Sequence, residues 1–135
     1  MPFVRESTDK DWRADVVISG APARMTIYGS CPSSEHGSVA GAVIRKIESE
    51  WPTIQENLLR SLHGLYNDTW ADPDEGFSPL SADEFLERIK LELVDVMDEE
   101  GALSLYFDDS DLFGGHTIDL FWTADGKMHD ATLAG

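Results

Sequence analysis

The chain predicts an α+β fold, with an N-terminal β-hairpin, two to three helices, and a C-terminal antiparallel meander of about four strands that carries the helices on one face. Three observations lead there. Apolar residues alternate along "WRADVVI" and "ARMTIY", then recur every third or fourth position across residues 39–65, and alternate again in four short runs after residue 90. With 135 residues, the chain fits a single domain spanning 1–135, large enough to bury a core without disulfide or metal staples.

In the first run Trp12, Ala14, Val16 and Ile18 share one side, as in a half-buried strand. "SGAP" breaks it, and in the next run Met25 and Ile27 oppose Arg24, Thr26 and Tyr28, so residues 12–28 form the hairpin. The turn-rich "GSCPSSEHGS" precedes a stripe of Val39, Val43, Ile47 and Trp51, widened by Ala40 and Ile44, which belongs to an amphipathic helix. Pro52 lacks an amide hydrogen, so a second helix starts there. Its apolar stripe is Ile54, Leu58, Leu62 and Leu65, and Tyr66 and Trp70 close the segment. "ADPDEGFSP" is a loop by composition. Ser81 and Glu84 have the spacing of a reciprocal cap, with Leu80 and Phe85 at the flanking apolar positions, so a short third helix begins at Ser81.

The runs "LELVDVM", "ALSLYF", "HTIDLFW" and "KMHDATL" are separated by "DEEG", "DDSDLFGG" and "TADG". Turns this short join antiparallel neighbours. Leu103, Leu105 and Phe107 share the core side while Tyr106 projects oppositely. Likewise Ile118, Leu120 and Trp122 face the helices, leaving Thr117, Asp119 and Phe121 on the other face.

Charge bounds the partners. With 26 acids against 10 bases the net charge is −16, a field that repels nucleic-acid phosphates and anionic lipid and draws cationic surfaces over a screening length of about 8 to 10 Å. No nucleic-acid partner is expected. No membrane partner is expected either, because no run approaches the roughly 20 apolar residues of a span. Residues 68–111 hold fifteen acids and two bases, −13, leaving −3 elsewhere. That concentration reads equally as a solvated face or as a surface turned toward a partner. A single cysteine, Cys31, and no charged-then-apolar leader lead to the expectation of a reducing, cytoplasmic location.

"DDSDLFGGHTIDLFW", residues 108–122, holds most of the polar chemistry. A helix-loop-helix calcium site needs alternating oxygen ligands, glycine sixth and glutamate twelfth. Counted from Asp109, Gly114 is sixth, but Phe113 is fifth and Leu120 twelfth, so the match fails. Gly114 and Gly115 suit a corner entering the next strand. His116 reads in two ways: as a base or ligand paired across the turn with Asp108 or Asp111, or as a structural ring hydrogen-bonded to the loop backbone. Asp119 would point to the opposite face of that strand. Cys31 and His36 suggest a thiol-imidazole pair but lack a third, orienting group. His63 and His129 are isolated, and no phosphate cradle, zinc spacing or serine elbow occurs, so no cofactor is expected.

The run "FGGHTIDLFWTADGKMHDATLAG", residues 113–135, resembles a family of small uncharacterised bacterial domains through Phe113, Gly115, His116, Ile118, Asp125, Gly126 and Gly135. Members of such families often look like immunity proteins encoded beside secreted toxins. The resemblance implies a related fold and transfers no mechanism to any position. Charge and resemblance together lead to the expectation of an acidic cytoplasmic binding module, not an enzyme, of immunity or antitoxin type. It would neutralise a basic protein partner, such as a nuclease toxin, by occluding its active site. Asp98, Glu99, Asp108, Asp109 and Asp111 would steer that partner, and Tyr106 and Phe121 would anchor it. A second reading is a small enzyme or metal-binding domain using His116 and the 108–111 loop. A third is a housekeeping module whose acidity confers solubility alone.

Overall fold

The computed structural model describes residues 3–5, 12–28, 36–97 and 102–134. Seven strands form one sheet in chain order: β1 (Phe3–Arg5), β2 (Trp12–Ile18), β3 (Ala21–Ile27), β4 (Lys90–Val96), β5 (Leu103–Asp108), β6 (Thr117–Trp122) and β7 (Thr132–Ala134). Every neighbouring pair is antiparallel except β3 and β4, which run parallel. A parallel pair requires a long crossover. Here the crossover contains all three α-helices, α1 (His36–Ser49), α2 (Trp51–Leu58) and α3 (Ala82–Arg88). The expected hairpin and four-strand meander are therefore two parts of a single sheet joined at one parallel seam.

The seam begins where the hairpin chemistry lets it. Ser19 and Gly20, both with positive φ (51° and 81°), make a two-residue turn closed by Ile18 and Ala21. Ladder alternation then turns the backbone groups of positions 22, 24 and 26 away from β2 and toward β4. Pro22 has no hydrogen to donate there, and the ladder with β4 starts at Arg24↔Leu93.

One sheet face is apolar and buried under the helices. Trp12, Ala14, Val16 and Ile18 alternate with exposed residues as expected, and Leu103, Leu105, Phe107, Ile118, Leu120 and Trp122 join them in the core. From the helix side come Ala40, Val43, Ile47, Ile54, Leu58, Leu62, Tyr66 and Phe85. The cap on α3 is present in both directions: the Glu84 amide donates to Ser81 Oγ at 3.2 Å, and the Ser81 amide donates to Glu84 Oε1 at 2.9 Å.

The second helix departs from expectation. Beyond α2 it continues to Trp70 through two i→i+5 bonded stretches, Leu59–His63 and Tyr66–Trp70, and the Ala71 amide bonds the Tyr66 carbonyl at 2.7 Å. In a regular α-helix a residue four positions on has rotated about 40° off the face, which is why Leu65 was expected to close the stripe. The wider turns cancel that drift, so Ile54, Leu58, Leu62 and Tyr66 remain aligned and buried, while Leu65 is 39% exposed.

Asn57, in α2, is 2% exposed. Its Nδ2 donates to the His129 carbonyl at 2.8 Å, and its Oδ1 accepts from the Ala131 amide at 2.9 Å and from Ser61 Oγ at 3.0 Å. One amide side chain thus ties the segment entering β7 to the helix layer. Replacing Asn57 with Ala leaves buried backbone groups unpaired, and the expected loss is about 2 to 3 kcal/mol. It should appear as a lower urea midpoint with an unchanged denaturant slope.

Candidate functional site

The segment after β5 turns its acids in two directions. Asp109 is 1% exposed. Its Oδ1 accepts from the Asp111 amide at 2.9 Å, and its Oδ2 accepts from the amides of Phe113 and Gly115 at 3.0 and 3.1 Å. The Leu112 amide bonds the Asp109 carbonyl at 2.9 Å. Converging three amides on one carboxylate bends the chain sharply, and Ser110, Asp111, Gly114 and Gly115 all take positive φ, from 50° to 85°. Ser110 Oγ donates to the Arg88 carbonyl at the end of α3, satisfying a helix-terminal acceptor.

The bend inserts Leu112 and Phe113 into the core. Phe113 meets the rings of Tyr66 at 5.9 Å, Trp70 at 5.7 Å and Phe85 at 6.2 Å, all near edge-to-face. Such pairs contribute about 0.5 to 1.5 kcal/mol each beyond burial. The Tyr66 hydroxyl donates to the Ser78 carbonyl at 2.8 Å, and burial raises its pKa despite the nearby Arg88 cation. Asn67 pairs with both backbone groups of Leu80, accepting from its amide at 2.9 Å and donating to its carbonyl at 3.1 Å. The acid-bearing segment 71–81, α3 and the 109–116 loop are thereby fastened around one aromatic cluster.

His116 makes the loop-backbone hydrogen bond that the structural reading expects. Its Nδ1 donates to the Phe113 carbonyl, and its ring lies edge-on to Trp70 at 5.6 Å. The alternative pairing with Asp108 or Asp111 is not formed among the described residues. Nor do any three His, Cys, Asp or Glu side chains among the described residues make a group able to hold a metal ion.

Of the residues expected to meet a partner, Asp108 and Asp111 are exposed, and Asp109 is turned inward. Tyr106 and Phe121 share the sheet face away from the helices, as expected. Tyr106 is opposite Asp119 and Ser104 opposite Phe121, so the two rings are diagonal neighbours on β5 and β6. Phe121 is 40% exposed and packs at 5.5 Å on His129. Asp98, Glu99 and Cys31 lie outside the described residues, as does the side chain of His36. Ten of the twelve described acids in residues 68–111 are exposed, and no ion pair among the described residues involves any of them.

Two other carboxylates stand out: Asp95, which escaped the sequence reading, and Asp119, which it placed on the face away from the helices without a role. Asp95 is 7% exposed beside Thr26, and Asp119 is half-buried. In each, Oδ1 is out of reach of water and has no hydrogen-bond partner. Burial raises the pKa of both, with Arg13 partly opposing the effect at Asp95. An aspartate inside a strand, where the residue type is depleted, was the available signal.

Removing the Asp109 carboxylate with Ala strands three amides, two of them feeding the aromatic cluster; a loss of about 3 to 5 kcal/mol is expected by urea denaturation. For Asp95 and Asp119 the sign is opposite. Their folded pKa lies above the unfolded value near 4, so the native state takes up protons first and gains stability as pH falls from neutral through those folded values. Urea unfolding followed from pH 7 down toward the unfolded carboxylate value of about 4 should show that gain, and the Asp95→Asn/Asp119→Asn double variant should lack it.

No helix among the described residues is long and apolar enough to cross a membrane. No curated protein and no solved structure matches the chain. A family model does match, over residues 23–133, well beyond the C-terminal run that carried the resemblance. The chain belongs to DUF2262, a family described as uncharacterised proteins conserved in bacteria.

Proposed function

We propose that this protein is an acidic binding module of immunity or antitoxin type, which captures a basic protein such as a nuclease toxin and occludes its active site. The observation that supports it most is the set of ten exposed carboxylates in residues 68–111, none of them in an ion pair among the described residues. Here one sign dominates, and the acids are borne on segments held by a rigid aromatic cluster. Rigid display lowers the ordering cost of binding, and an unneutralised field of one sign speeds the encounter with a cation.

Asp108 and Asp111 are the outward acids of the clasped loop, and Asp109 serves them by fixing its shape. Tyr106 and Phe121 supply aromatic surface on the sheet face away from the helices. Asp98 and Glu99, which lie outside the described residues, enter the proposal by their charge alone. The enzyme reading finds less support, because the loop geometry already employs His116 and Asp109 in backbone hydrogen bonds.

The test is affinity for, and inhibition of, the product of the adjacent gene. Association should slow steeply as salt rises, and Asp108→Asn/Asp111→Asn, with Asn tolerated at the positive φ of residue 111, should cut the association rate several-fold while leaving the urea midpoint nearly unchanged. Absent or salt-independent binding contradicts the reading.

A further inference from the structure

The seam between β3 and β4 is zipped only from Arg24↔Leu93 onward, and each strand carries a device that holds the other end open. On β3, Pro22 brings no amide hydrogen to a position that faces β4. On β4, a bulge between Leu91 and Leu93 adds one residue and offsets the backbone alternation below it, so the groups that would continue the ladder fall out of register. Regular pairing is thus interrupted on both walls at one level of the sheet. Between the walls lies a cleft of about 970 Å³, a size that suits a ligand site. Trp51 of α2, Leu86 of α3, Ile89 just beyond it, and Ala23, Leu91 and Leu93 of the two strands line this cleft. All but Ile89 are half-buried, so apolar surface that a closed seam would cover stays open to water. Along α3 and the wall that follows it, the exposed acids Asp83, Glu84, Glu87 and Glu92 outnumber the bases Arg88 and Lys90, and exposed Asp108 stands opposite Lys90 in the ladder. None of these acids is in an ion pair among the described residues, whereas on the β3 wall Arg24 is matched by Asp15 at 3.9 Å.

We infer that the open end of this seam is the docking site for an extended, basic segment of the partner protein, which lies along the free strand edge and places one bulky apolar side chain in the cleft. The inference rests on the reading of a basic partner and deepens it by naming what that partner presents. An extended peptide offers main-chain groups to an unpaired strand edge while one of its alternate side chains fills a pocket beside it. The Pro22 carbonyl, turned toward β4 without a ladder partner, is one acceptor for such a strand. The acids around the cleft speed arrival of a basic segment, and burial of its apolar side chain slows departure.

The experiment titrates the whole chain with the capped peptide Lys-Val-Phe-Val-Lys, with versions carrying Ala for its Phe or Glu for both Lys, and with phenylalanine amide. NMR follows the backbone amides of Ala23, Arg24, Leu91 and Leu93 and the Trp51 indole. The parent peptide should saturate on the order of 0.1 mM, and each altered version should bind about tenfold more weakly or worse. Ala21→Trp, which fills the cleft from an exposed lining position, should abolish binding. Glu92→Gln, also on the lining, should weaken it several-fold with the urea midpoint nearly unchanged. Phenylalanine amide binding as tightly as the peptide identifies a small-molecule pocket, and self-association that Ala21→Trp abolishes identifies a second copy as the occupant; either overturns the inference. So do the absence of a saturable shift and full peptide binding by Ala21→Trp. None of these readouts uses the adjacent gene product, so the docking site can fail while salt-dependent capture stands, and the reverse.

Discussion

The carboxylate of Asp109 is the constraint on which the rest of this architecture leans. By drawing in the amides of Asp111, Phe113 and Gly115 it folds an otherwise featureless acidic loop into a clasp. Hydrogen bonds to a charged acceptor contribute about 1.5 to 3 kcal/mol each, though not additively. The consequence is long-ranged. Phe113 enters the space between Tyr66, Trp70 and Phe85 and so joins the sheet to the end of the long helix and to α3. Ser110 and His116 then close the clasp on either side, one against α3 and the other against the loop's own backbone.

This arrangement separates two uses of negative charge that composition alone merges. Asp109 is fully hydrogen-bonded and inward. Asp108 and Asp111, its close neighbours, are exposed and have no ion pair among the described residues. Asp95 and Asp119 form a third kind, desolvated on the sheet face away from the helices with an oxygen left unmet. The first kind stabilises the fold, the second raises the field around it, and the third lowers stability at neutral pH.

Much of the fold was legible because local periodicity decides it. Alternation placed Trp12, Ala14, Val16 and Ile18 and all three core-facing residues of β6 correctly, and the Ser81–Glu84 spacing located the start of α3. The parallel seam was not legible, because strand pairing across a long crossover depends on packing rather than on local pattern; the donor missing at Pro22 explains only where the seam stops. Leu65 was misplaced because wide helical turns change the period on which the stripe was counted. At the site, the aspartates of residues 108–111 look alike in sequence. Only the loop's backbone conformation, with four positive φ values, determines which one turns inward. For His116 the sequence left two alternatives open, and the structure shows the hydrogen bond of one of them, to the Phe113 carbonyl.

Native-state hydrogen exchange at the Phe113 and Gly115 amides addresses the central claim most directly. If the Asp109 clasp is as integral as its geometry indicates, both amides exchange only through global unfolding, with protection matching that of the β5 and β6 core amides. Rapid exchange at these two positions, while the strands on either side remain protected, would show a loop that opens by itself and would contradict the account.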